Sequence, residues 1–427
     1  MIEIRTVNTA QLKKQFVDFP YDLYNNSDYW VPMFYADAKK LADGKGSTVF
    51  ANGEHELYLA FKNDKPVGRI CVGIERDLNK RKNYKHAYFT LFDSINDREV
   101  ADALLNKCLE WAGERKMQYL KGPISPTNGD DYRGLLIKGF DEFPGMLMPY
   151  NYPYYADFFN DYDTYLEYYA YDHDLKTPID SKKMELMKLG IYREGKYKME
   201  ELNSFDQDRI SDLVCEEVFE SEGYSAEKIY LKTKRQIDDV NEKLYKVMFN
   251  SYPEDWEEDL VPPTKEEWRE IILEMKKVLT PELGLFALHK GEPVAVIAVI
   301  PDLNRGIKEA QGKLLPFGWY HLLKEKKKTK KARGVILFID ERYQKRGLPG
   351  YLILKIRKNL MKMGFEKVEL SSISSMNKDS NGAYNWLDMK LNKQYKLFGR
   401  SVTGTTLTID EIYGIASEKV KKFKGIS

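Results

Sequence analysis

The chain of 427 residues has only three cysteines, Cys71, Cys108 and Cys215. An odd number, wide spacing and no CxxC pair exclude a disulfide framework and a zinc knuckle, and a reducing compartment fits best. The histidines, His55, His86, His173, His289 and His321, never fall within ligand spacing of one another, so no metal is expected. The longest apolar run, Val294 to Ile300, is far below the roughly 20 residues a membrane helix needs. The opening MIEIRTVNTAQL lacks the basic, apolar and small-residue succession of a secretion signal. These absences predict a cytoplasmic protein with no membrane partner. The net charge of +1 provides no whole-molecule field for nucleic acid. GxSxG, GxxxxGK[ST], HExxH and GxGxxG are all missing, which leaves serine-hydrolase, P-loop and Rossmann readings without their minimal signatures.

The sequence does contain ample material for packed cores: 43% hydrophobic, 13% aromatic and 31% charged residues, over a length that suggests two or three domains. It also repeats itself. LAFKNDKPVGRICV at Leu59 matches FALHKGEPVAVIAV at Phe286, each a strand, a polar turn and a Pro-Val opening a second strand. The prolines, Pro66 and Pro293, lie 227 apart. Upstream, IEIRTVNTAQL resembles KYKMEELNSFD at an offset of 195; downstream, FTLFD ending at Asp93 matches LFID ending at Asp340 at 247, and Met117–Leu120 matches Phe365–Val368 at 248. Growing offsets predict insertions in the second copy, one being the acidic helical stretch Ser225–Leu279 with Trp256 and Trp268, the other the Lys-rich segment before Val335.

The expected fold is therefore α+β (α/β): two tandem units, each a mostly antiparallel mixed sheet flanked by helices, with one βαβ crossover. Residues 1–190 form the first and 191–427 the second. Copy one closes with a strand at Tyr165–Tyr171, copy two opens with a strand around Met199, and the boundary falls near Leu189 to Glu194.

The most informative stretch is VILFIDERYQKRGLPGYLILKIRKNLMKMGFEKVELSSI, Val335 to Ile373. An apolar strand leads through a basic glycine turn into a helix whose apolar face is Leu352, Ile353, Ile356, Leu360 and Met363, ended by Gly364. The first N–H groups of such a helix point outward, unpaired, with the positive end of the dipole behind them, which suits a pyrophosphate. Gln344-Lys345-Arg346-Gly347-Leu348-Pro349 resembles the acyl-CoA motif of the GNAT N-acetyltransferase superfamily, [Gln/Arg]-x-x-Gly-x-[Gly/Ala], and the lead-in Asp340-Glu341-Arg342-Tyr343 is similar too. Pro349 departs from it, because proline has no N–H to offer a phosphate; Gly350 is positioned to take over the close approach. The corresponding first-copy turn, Asp93 to Glu99, has no glycine and several acids, so electrostatics oppose a polyanion there. Across most of its length the chain is also similar to a bacterial family of GNAT-related proteins, through FPYDLYNNSDYWVP near the start, GPISPTNGDDYRGLLIKGFDEFPGMLMPYNYPYY from Gly122, and PDLN and GKLLPFG between Pro301 and Gly318.

The resemblance implies transfer of an acyl group from acetyl-CoA, or another acyl-CoA, to the amine of a small molecule. It assigns cofactor contacts to Ile339, Gln344, Lys345, Arg346, Gly347, Leu348, Gly350 and Asn381. Tyr384 is placed to protonate the leaving thiolate, with Glu369 and Asp340 or Glu341 as candidate bases; Asn377 and Asn381 could bind the pantetheine or cap a helix. The long aperiodic loop Gly122–Tyr155 suggests Asn128, Asp130, Asp131, Tyr132, Tyr150 and Asn151 as substrate contacts. Lys324 to Arg333, with seven basic residues in ten, reads first as a solvated insertion and is the only hint of RNA. The leading function is an acyl-CoA-dependent N-acyltransferase, monomeric or dimeric. The alternatives are a silent tandem GNAT protein that binds a metabolite or CoA, and an aminoacyl-tRNA-dependent transferase.

Overall fold

The computed structural model describes residues 1–44, 53–125, 133–252, 255–256, 258–259, 262–378, 380–382 and 389–426. The two matching strings form matching hairpins. Strands β2 (Gly53–Lys62) and β3 (Lys65–Glu75) turn through Asn63 and Asp64, both with positive φ; β9 (Gly284–His289) and β10 (Glu292–Pro301) turn through Lys290 and Gly291, again both positive. Two left-handed residues in a two-residue loop match the right-handed twist of the flanking strands, so each turn enforces its hairpin.

The remaining strands are β1 (Glu3–Thr6), β4 (His86–Ser94), β5 (Tyr119–Gly122), β6 (Leu135–Lys138), β7 (Asp163–Asp174), β8 (Tyr224–Lys228), β11 (Lys331–Ile339), β12 (Lys367–Ser374) and β13 (Lys390–Ser401). They join in one sheet of order β1-β2-β3-β4-β5-β13-β7-β12-β11-β10-β9-β8, with β6 added on β13. Within each half the neighbours are antiparallel except β4 with β5 and β11 with β12, which are parallel and connected through helices Arg98–Glu114 and Leu348–Lys362. Both halves thus carry the expected crossover, but the sheets are not separate. Each copy's last strand crosses over: β13 pairs with β5 of the first copy, and β7 with β12 of the second. The exchange covers two strand edges that would otherwise offer unpaired N–H and C=O groups. At the centre β7 and β13 pair with each other, Asp172 opposite Lys390 and Asp163 opposite Gly399, and Tyr168 faces Tyr395 at the midpoint. Residues 227 apart exchange places in this register, so the two strands are related by a local two-fold.

Copy two does not open with a strand at Met199; Met199–Ser204 is helical, as is Ser181–Arg193, which spans most of the expected boundary. Its opening strand is β8, which pairs with β9 as β1 pairs with β2. Thr233 then caps the next helix through its side chain, as Thr9 caps the helix after β1. The stretch from Ser225 is accordingly the second copy's own opening strand and helices, not an insertion. The mismatch arose because KYKMEELNSFD has the polar caps of a strand-to-helix junction but belongs to the connecting helices.

The crossover helix Leu348–Lys362 buries Leu348, Tyr351, Leu352, Ile356 and Leu360 against the second half-sheet. Three- and four-residue spacing puts them on one face, and each fully buried apolar side chain contributes roughly 1.5–3 kcal/mol. That anchoring fixes where the helix's N-terminal turn points.

Candidate functional site

The register of β11 and β12 locates an opening. They pair only from Lys331–Gly334 with Lys367–Leu370. Beyond that point Val335 bulges out of the ladder with β10, and β11 follows β10 while β12 follows β7. Buried Arg333 occupies the fork, donating from Nε to Ser371 Oγ (2.9 Å) and from a terminal nitrogen to the Ser371 carbonyl (2.9 Å). The second of these bonds satisfies a carbonyl at the point where the strands part. The fork opens into a cavity of about 2970 Å³, lined by Gly334, Leu337 and Ile339 from β11 and by Ser371, Ser372 and Ile373 from β12.

The glycine turn lies on the same cavity, with Gln344, Lys345, Gly347 and Gly350 in its lining. Gly347 is the N-cap residue of helix Leu348–Lys362, at φ +77°, and no side chain caps that terminus. A Cβ on Gly347 would lie 3.2 Å from the Phe219 ring, whereas one on Gly350 would meet nothing within 4 Å. The turn thus presents free helix-terminal N–H groups to a large cavity, as a polyanion requires. Leu348 is wholly buried and Arg346 rests its guanidinium 5.2 Å above the Tyr343 ring, and neither of them lines the cavity.

Several candidates have other occupations. Buried Asp340 caps the short turn after β11, accepting from Arg342 N and Nε and from Asn250 Nδ2, and Arg342 first of all holds its carboxyl below the usual range. It clips the turn and does not line the cavity. Glu369 is fully buried with Lys331 (3.1 Å) and Lys393 (3.2 Å), and accepts from Ser371 (2.8 Å). Burial opposes its charge, yet the two lysines and Arg333 outweigh burial and hold the carboxyl at about 2. A carboxylate that weakly basic is unsuited to take a proton from an amine at neutral pH. Asn381 donates to the carbonyls of Ser374 and Asn377 and accepts from Tyr171, so its amide is committed to the loop after β12; Asn377 accepts from Ser380 N as a cap. Asn151 is buried and brackets Leu136, accepting from its N (2.8 Å) and donating to its carbonyl (3.1 Å), which ties β6 in place. Tyr150 donates to the Phe140 carbonyl. Neither faces the cavity. Tyr384, Asn128, Asp130, Asp131 and Tyr132 lie outside the described residues.

The structure brings other groups to the cavity. Arg133, from the loop before β6, reaches Glu258 (3.1 Å) and Ser372 Oγ (3.1 Å), and all three line the cavity beside the fork. Glu258 and Arg133 are buried. In the sequence Glu258 is one acid in the run EDWEED, and only the fold separates it from its neighbours.

The equivalent place in the first copy is filled. Phe159 stacks on Phe89 of β4 (5.8 Å between centroids) and on Phe398 of β13 (4.7 Å). Tyr155, also buried, accepts from Ser94 N (2.9 Å) and from Tyr24 Oη (2.9 Å), occupying the backbone at the strand end. Asp97 caps the helix that follows, accepting from Glu99 N (3.0 Å), and binds Lys62. A carboxylate already occupies the position a phosphate would need.

A mixed sheet with one parallel crossover, forked beyond it and leading into a glycine turn at a helix N-terminus, is the architecture of GNAT proteins; the second copy carries all of it, and the first repeats the crossover and the fork without the glycine turn. A solved tandem GNAT protein from the clavulanic acid biosynthesis pathway superposes with a TM-score of 0.50 over 95% of this chain and 100% of that one, at 10% identity. The chain has the GNAT fold. Among curated proteins it is 23% identical to the bacterial ceramide synthase of Caulobacter vibrioides, over 88% of this chain and 91% of that one. It is also 23% identical to Protein YghO of Escherichia coli, over 93% and 95%. No protein-family model matches the chain.

Proposed function

We propose that the protein is an N-acyltransferase that takes its acyl group from an acyl-CoA at the second copy, the first copy serving as a wall of the site. The observation that carries this reading is the uncapped, left-handed Gly347 turn on the same cavity as the β11–β12 fork. Backbone N–H groups of Gly347 and Gly350, with the Lys345 side chain, would hold the pyrophosphate; the fork would receive the pantetheine. A bound acyl-CoA supplies the activated acyl group. For the chain's own part, Glu258 is the group we assign to take the proton from the acceptor amine, Arg133 positioning its carboxylate beside Ser372. We divide the chain at the connecting helices between β7 and β8.

The acceptor need not be small. The cavity wall continues over apolar side chains such as Ile297, Leu303, Leu322 and Met376, and a ceramide synthase is among the relatives, which together favour a long-chain amine. Isothermal calorimetry with CoA, acetyl-CoA and palmitoyl-CoA, followed by thiol-release assays over short and long amines, tests both levels. CoA binding without thiol release for any amine would leave a silent binder, and no binding of any CoA species would remove the assignment.

A further inference from the structure

We propose that the segment Lys313–Lys330 docks the protein on an anionic lipid bilayer, next to the mouth of the cavity. Helix Gly318–Lys328 has no buried residue. One side is held: Leu322 packs with Ile300, Leu303 and Ile307, and His321 Nδ1 donates to the Glu309 carboxylate (3.0 Å). A Cβ on Gly306 would lie 2.8 Å from the His321 carbonyl, so the helix sits close against its support. The opposite side, and the loop leading into it, expose large apolar groups together: Leu315 is 81% exposed, Phe317 74%, Tyr320 57%, Leu323 53% and Trp319 48%. Between positions 313 and 330 stand six lysines and one acid, Glu325, in a chain whose net charge is only +1.

Those two features select the occupant. Aliphatic and aromatic side chains projecting beside a ring of lysines match the acyl boundary and the anionic headgroups of a bilayer, with Trp and Tyr at the level where amphipathic rings settle. An RNA would match the lysines but leave Leu315 and Phe317 unused. A second copy would match the apolar groups and oppose the lysines with its own. Among the described residues no helix is long and apolar enough to cross a membrane, so the contact is with the surface. Leu314, Leu315, Trp319 and Leu323 also line the cavity, which places its mouth at the docking face. If the acyltransferase reading holds, a membrane-resident amine would enter there; docking itself does not depend on that reading.

Co-sedimentation of the full chain with vesicles of phosphatidylethanolamine and phosphatidylglycerol, against pure phosphatidylcholine, tests the proposal without any enzyme assay. The wild type partitions onto the anionic vesicles and is released by salt. Leu315→Ser with Phe317→Ser lowers partition at least about tenfold, and Lys324→Glu, Lys327→Glu and Lys328→Glu together lower it at least about a hundredfold. All five positions are exposed, and an unchanged melting temperature verifies folding. No partition of the wild type, or partition that ignores both sets of substitutions, overturns the proposal. A wild-type dimer in light scattering that the Ser pair dissociates, with no vesicle binding, reassigns the face to a second copy. Retention of tRNA that survives the Ser pair, again without vesicle binding, reassigns it to nucleic acid.

Discussion

The same fork exists twice in this molecule and is used in opposite ways. In the second copy β11 and β12 part around a cavity, and the following helix starts with an uncapped glycine. In the first copy, Tyr155 and Phe159 pack where the strands part, and Asp97 caps the following helix. One backbone plan therefore does not decide whether a site exists; a few side chains at the fork and at the helix terminus do. The buried charge beside each fork is inverted as well. Glu369 on β12 sits opposite Arg333 and holds two lysines, whereas Lys121, at the matching position of β5 opposite Tyr88, holds Asp259 at 2.7 Å.

The largest effect expected is on ligand binding. Gly347→Val should abolish acyl-CoA binding in calorimetry, because a β-branched residue resists φ near +77° and its Cβ would crowd Phe219. Asn96→Val, in the first copy's turn, should leave binding unchanged. Equal losses from both would show that the copies share the ligand.

Glu369→Gln comes next. Removing one charge leaves Lys331 and Lys393 with only Glu142 and Asp172 to compensate them in the interior, a loss of about 3 kcal/mol in denaturant titrations at pH 7. The pH dependence follows from the sign of the shift. A carboxyl held at about 2 when folded, against a usual 4.5, contributes stability that is fully present above about 4.5 and lost as pH falls toward 2. Wild type and variant should converge across that window, and a gap that stays constant with pH would mean that packing, not charge, explains the loss. Glu258→Gln should lower kcat by about a hundredfold with KM little changed, as expected for losing a proton acceptor. An equal rise in KM would make Glu258 a binding group.

Local strings carried much of this. Pro66 and Pro293 mark hairpins whose turns are built alike, and Gln344, Lys345, Gly347 and Gly350 of the glycine turn line the cavity at the fork. Pairing between distant strands was not legible: nothing in Asp163–Asp174 says that it will sit beside β12 and not β5, since either edge satisfies an alternating strand. The same limit hid Glu258. Its partner Arg133 is 125 positions away, and an acidic run reads as solvated until the fold folds it inward. Asn151 failed for a different reason, because a polar residue in an aperiodic loop can bind a ligand or satisfy a neighbouring strand's backbone, and here the backbone took it.

The smallest expected effect tests the one departure within the turn. Pro349 sits at the second position of helix Leu348–Lys362, where its ring suits the backbone but removes one of the outward N–H groups. Pro349→Gly restores that donor. A hydrogen bond to a charged oxygen is worth somewhat more than a neutral one, and the added freedom of glycine offsets part of it, so binding should tighten by about 1 kcal/mol, roughly fivefold in Kd. The same change at the first copy's terminus has no meaning, because Asp97 already satisfies the N–H of Glu99. Tightening that appears with CoA but not with dephosphorylated pantetheine would place the restored donor at the pyrophosphate; tightening with both would place it elsewhere and detach Pro349 from the phosphate turn.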